Sequence, residues 1–112
     1  MIEYGACCLP SWLKALDYTA SLFKRQKKYD QLPSEVAKKH LKVSPFAGEP
    51  VGWIIENIGK EMLVFASDYP HPEGTSDPIK KFEAKMENCE ESTMEAFYNG
   101  NMEELMGISL SE

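Results

Sequence analysis

The sequence predicts an α/β fold of parallel strands alternating with helices, about three βα units in all, and three observations carry that expectation. Residues 62–66 are five apolar residues in succession, the pattern of a strand buried on both faces, which is typical of a parallel sheet. Segments with helical apolar spacing, opened by Pro or Asp, lie on both sides of that run. Asp68 and His71 follow the run at once, where the strand would emerge at its C-terminal end. Open parallel sheets and α/β barrels build their sites at that edge.

The elements follow in chain order. Met1 and Ile2 read as the last residues of a strand, with Gly5 and Ala6 as the turn beyond it. Pro10 and Ser11 open a helix that runs to about Lys28, with Trp12, Leu13, Leu16, Thr19, Ala20 and Phe23 on a core-facing side. Leu32-Pro33-Ser34-Glu35 starts a short helix. Residues 40–46 alternate as a strand would, and Pro45 limits its length. A third helix spans 51–57 and ends at Gly59, a residue suited to a helix C-terminus. After the strand at 62–66, Asp77 and Pro78 begin another helix, as N-cap and first-turn residue, with Ile79, Phe82 and Met86 along one side. Ser92-x-x-Glu95 and Asn101-x-x-Glu104 have the form of capping boxes, and Gly107 closes the last helix. Three parallel strands do not close a barrel, so the order fits a small open α/β domain or the end of something larger.

Composition narrows the function. At 112 residues the chain is one domain at most, with the apolar content of a chain that buries a core. A formal charge of −6 opposes a nucleic-acid surface. The basic cluster Lys24, Arg25, Lys27 and Lys28 falls at a helix C-terminus, where cations suit the macrodipole. Three cysteines, two of them adjacent, make a poor disulfide framework and suggest free thiols in a reducing compartment. With no signal-peptide pattern and no run of membrane-spanning length, the expected location is cytoplasmic, with no membrane partner.

Ser67-Asp68-Tyr69-Pro70-His71 after an apolar run resembles the last barrel strand of the amidohydrolase-related family. These are metal-dependent α/β-barrel hydrolases and decarboxylases that include aminocarboxymuconate semialdehyde decarboxylase. Glu3-x-Gly5-Ala6-x-x-Leu9-Pro10-x-Trp12-Leu13-x-x-Leu16-Asp17 resembles the sixth strand and following helix of one branch. Leu32-Pro33-Ser34-Glu35 resembles the element before the seventh strand, and residues 99–107 resemble the closing helix. The resemblance covers nearly the whole chain, in the right order. It implies that residues 1–112 are a single partial domain, the C-terminal part of a TIM-type (β/α)8 barrel.

The resemblance also implies roles. Asp68 matches the aspartate that binds the catalytic metal and can act as general base toward water, a role that suits a carboxylate beside a divalent ion. His71 would line the mouth of the site. Glu3 stands where many relatives carry histidine, and one branch carries glutamate there. The implied cofactor is a divalent metal, zinc first, and the implied substrate a small molecule: an organic acid, amide or ester undergoing hydrolysis or non-oxidative decarboxylation. The family's His-x-His pair and its fifth-strand histidine have no counterpart here, since the only histidines are His40 and His71. The isolated chain is therefore expected to be inactive, and to self-associate or to need a complementing chain. Two other readings stand beside this one: a non-catalytic α/β interaction module completed by a partner chain or a second copy, and a small enzyme using Cys7 or Cys8 as nucleophile at a helix N-terminus.

Overall fold

A computed structural model of the chain describes residues 2–23 and 30–109. Its regular elements are helices: α1 Leu9–Leu22, α2 Pro33–His40, α3 Val51–Ile58, α4 Pro78–Lys85, α5 Glu91–Glu95 and α6 Asn101–Met106. A single π-helical stretch, Ala96–Gly100, joins α5 to α6 without a break. Among the described residues there is no sheet, and extended backbone pairs in one isolated parallel bridge, Val43 to Leu63. The expected alternation of strands and helices, and with it the partial TIM-type barrel, is therefore replaced by a helical fold.

Each predicted strand fails for its own reason. Of the first, Met1 lies outside the described residues and Ile2 joins no ladder; the chain turns at once into an irregular loop, in which Glu3 and Gly5 adopt left-handed φ of 64° and 68° that no strand uses. In the segment 40–46, His40 ends α2 and the extended remainder pairs only at Val43, whose N–H donates to Met62 O at 2.8 Å and whose carbonyl accepts from Val64 N–H at 3.0 Å. The run at 62–66 is buried as expected at Met62, Leu63 and Val64. A second flanking strand is not what completes it. The Asn101 amide donates to Leu63 O at 2.7 Å and Lys60 O at 2.5 Å, and Phe97 O accepts the Phe65 N–H at 3.0 Å. An apolar run reports burial, and the burial here is supplied mostly by helices.

The core gathers around that run. Val51, Ile54 and Ile58 of α3, Phe82 of α4 and Phe97 are buried against Val43, Met62 and Leu63. Phe65, Phe82 and Phe97 meet edge to face, with centroids 5.2–6.1 Å apart, the geometry favoured by ring quadrupoles. At the contact of α3 with α4, a Cβ on Gly52 would come within 2.6 Å of the Lys85 carbonyl oxygen, so glycine sets that approach. Asp17 of α1 accepts from both the N–H (2.9 Å) and the hydroxyl (2.7 Å) of Ser34, tying the first turn of α2 to α1.

Several local expectations shift. In α1, Leu9 and Leu13 face the core, whereas Trp12 is 40% and Phe23 54% exposed. With no sheet beneath it, the helix buries a narrow stripe. The cluster Lys24, Arg25, Lys27 and Lys28 lies outside the described residues. Ser92 sits inside α5 rather than at its cap, and Asp77 makes no side-chain cap to α4. Gly107 closes α6 at φ 66°, a left-handed C-terminal residue. No helix among the described residues is long and apolar enough to cross a membrane.

Asn101→Leu keeps the branched shape of the side chain and removes both donors from the carbonyls of Lys60 and Leu63. Leaving those groups unpaired in the interior should cost about 2 kcal/mol or more, read as a fall in the urea midpoint at unchanged slope.

Candidate metal centre

The loop after the buried run is fastened at its base and folded back on itself. Thr75 N–H donates to Ser67 O at 3.2 Å, His71 N–H to Asp68 O at 2.9 Å, and Gly74 N–H to His71 O at 2.9 Å. The Tyr69-Pro70 peptide is cis. A Cβ on Gly74 would fall on the Asp68 carbonyl, so only glycine lets the return limb pack against the aspartate backbone. Asp68 itself has φ 52°, a left-handed conformation that costs a non-glycine residue free energy and that tends to occur where side-chain direction matters.

The N-terminal loop reaches the same place. Glu3, at φ 64°, brings its carboxylate to Asp68 and His71, and one ligand atom from each of the three lies within 4.8 Å of the others. Glu3 and His71 are exposed and Asp68 is half-buried. Asp68 Oδ2 is sealed from solvent and has no hydrogen-bond partner among the described residues. A buried carboxylate oxygen without a donor is costly unless a cation meets it. With bonds of about 2.1 Å, two donors on one tetrahedral ion stand about 3.4 Å apart, a spacing that rotation of the exposed Glu3 and His71 side chains can reach. Two carboxylates and an imidazole form a donor set suited to zinc, manganese or iron. The residues present thus fit a divalent ion. His71 Nδ1 also lies 4.0 Å from Glu73 Oε1, an ion pair only while the imidazole is protonated.

The sequence expected Asp68 as the metal residue, with Glu3 and His71 beside the site, and the structure brings all three together. His40, at the exposed end of α2, stands apart from them. What the sequence reading missed is Glu49. Its carboxylate accepts four hydrogen bonds from three backbone N–H groups: Ala6 to both oxygens (2.9 and 3.0 Å), Cys7 (2.9 Å) and Phe46 (2.7 Å). The only local signal was an acid in the turn Gly48-Glu49-Pro50, and nothing there points to a segment 43 positions away.

Cys7 is poorly placed for catalysis. Desolvation of the sulfur, with the neighbouring Glu49 carboxylate adding to it, pushes the Cys7 thiol from an ordinary 9.0 up to about 11. That holds it protonated at neutral pH, the reverse of an activated nucleophile. Burial, then Glu56, also raises the Cys89 thiol. Cys89 lines a cleft of about 570 Å³ beside Trp53 and Lys85, and none of the three converging donors belongs to that cleft.

No family model matches the chain, and no curated protein matches it. A similar solved structure is the amidohydrolase map2389c from Mycobacterium avium subsp. paratuberculosis K-10, with 23% identity and a TM-score of 0.78 over 95% of this chain. The chain spans 27% of the length of that protein. At this identity the likeness is one of fold: the helices and buried extended segments here are arranged as in a part of that larger chain.

Alkylation of Cys7 by iodoacetamide, followed by peptide mass spectrometry, should rise with pH to a midpoint near 11. At pH 8 the thiolate share is about 100-fold below that of an ordinary thiol, and higher intrinsic nucleophilicity restores about 10-fold, leaving a rate about 10-fold slow. A midpoint near 9 would contradict the assigned environment.

Proposed function

We propose that Glu3, Asp68 and His71 hold a divalent metal ion, and that the metal serves hydrolysis or non-oxidative decarboxylation of a small organic acid, amide or ester when further polypeptide covers the site. The observation that carries this reading is that Asp68, whose Oδ2 is buried without a hydrogen-bond partner among the described residues, brings a carboxylate oxygen within 4.8 Å of ligand atoms of Glu3 and His71. The likeness of fold to an amidohydrolase supports the choice of reaction class.

A bound divalent ion supplies Lewis acidity, polarising a substrate carbonyl and lowering the pKa of water. Asp68 has two oxygens, so it can hold the ion with one and accept a proton with the other. Gly74 and the turn around it keep that carboxylate aimed at the site. His71, when neutral, offers a ring nitrogen as a ligand or as a hydrogen-bond partner to substrate. Glu3 adds a second negative charge that favours a cation over an anion at this point. Water exclusion is what the described residues lack: Glu3, Tyr4, Tyr69 and His71 all face solvent. Productive chemistry needs a drier pocket than this, so the chain by itself should bind metal without turnover.

A second reading, a helical interaction module, is favoured by a different observation. Ile2, Tyr4, Trp12, Leu22 and Phe23, in and around α1, are each at least 40% exposed. Apolar surface of this kind invites a second copy or a complementing chain. Sedimentation that stays monomeric at 100 μM would remove the second-copy version.

Wild-type protein freed of metal should bind one equivalent of Zn²⁺ or Co²⁺ by calorimetry. Asp68→Asn should weaken binding by a factor of 10 or more, and Gly74→Ala should weaken it too by displacing the Asp68 backbone. Equal affinity in wild type and Asp68→Asn would rule the proposed centre out.

A further inference from the structure

We infer that Glu49 is the positioning residue of this metal centre: it holds Glu3 in place by clamping the backbone just beyond it. The inference rests on the metal reading above and adds a residue that is not itself a donor.

The N-terminal segment enters the fold at one point. Among the described residues, Ile2, Glu3, Tyr4 and Gly5 donate and accept no backbone hydrogen bonds, and Ile2, Glu3 and Tyr4 are exposed. Their first fixed neighbours are Ala6, whose side chain is fully buried, and Cys7, and the N–H groups of both donate to the Glu49 carboxylate. Beyond that point Ala6 O accepts the Leu9 N–H at 3.0 Å, carrying the anchor into α1. The same carboxylate accepts Phe46 N–H, so Glu49 is itself fixed, three residues from a buried segment that pairs through Val43 with the run that precedes Asp68. One carboxylate thereby connects the loop that carries Glu3 to the extended segment that pairs, at Val43, with the run preceding Asp68. Gly5 completes the fit: it is buried at φ 68°, and a Cβ there would meet Glu49 Oε1 at 2.7 Å. A bidentate carboxylate on backbone N–H groups is strong and directional, so it can set the approach of a donor three residues away. Outer partners of this kind commonly change metal affinity by about 10–100-fold.

The test is a Co²⁺ titration, followed by visible absorption, of the wild type, Glu3→Gln, Glu49→Gln, the double variant and Asp68→Asn. If Glu49 acts through Glu3, Glu49→Gln weakens Co²⁺ binding by about the same 10-fold as Glu3→Gln and takes on the Glu3→Gln spectrum. The double variant is then no weaker than either single one. Gly5→Ala, which pushes the loop off an intact Glu49, gives the same spectrum, and it decides the matter should Glu49→Gln unfold. Additive losses, or a wild-type spectrum in Glu49→Gln and Gly5→Ala, overturn the inference and leave the metal centre standing. Unfolding of both clamp variants also overturns it, by making the clamp a requirement of the fold. Absence of Co²⁺ binding by wild type, or undiminished binding by Asp68→Asn, overturns the metal reading and this inference with it.

Discussion

The structure depends on satisfying the backbone of one buried apolar run. Met62, Leu63 and Val64 lie at the centre of the core, where an unpaired peptide group costs as much as several good packing contacts return. Three different partners meet that requirement: the extended segment at Val43, the amide of Asn101 and the carbonyl of Phe97. Because two of these partners belong to the helical stretch from α5 to α6, that stretch must lie along the run. Its π-helical turn places Phe97 against Phe65 and Phe82 while Asn101 reaches the carbonyls. Lys42, itself buried, adds a link from the Val43 segment to Glu61 O and to Glu104 of α6.

The candidate centre is a consequence of where that run ends. Burial fixes the chain as far as Val64, and the turn closed by Thr75 and Gly74 then holds Asp68 in a left-handed conformation with its Oδ2 buried. The second half of the centre is delivered separately, by a loop that owes its position to the Glu49 carboxylate. Stability and site therefore use different interactions. The core is apolar with a few buried amide bonds, while the donor group stands at its margin, where two of its three side chains remain exposed and able to adjust around an ion.

Much of the local structure was legible because it follows from short-range rules. Pro10, Pro33 and Pro78 each stand in the first turn of a helix, and Gly107 ends one. The burial of 62–64 was legible from five apolar residues in a row. The strand assignment was not, because an extended segment becomes a strand only if a neighbour supplies a ladder. Here an asparagine side chain and a helix carbonyl take much of that place. Trp12 and Phe23 misled for a related reason: helical spacing shows that residues share a face, and a further surface must exist for that face to be buried.

By itself, then, the sequence determined which segments are apolar, where the first four helices begin and that an aspartate and a histidine follow the buried run. These are properties of neighbouring residues and of their solvation. Only the tertiary structure decided that the run is enclosed by helices, that Glu3 meets Asp68 across 65 positions, and that Glu49 clamps the loop between them. Contacts of that separation depend on how loops close and which buried polar groups remain to be paired. No local pattern carries that information, because one glutamate in a turn reads the same whether it faces water or three amides.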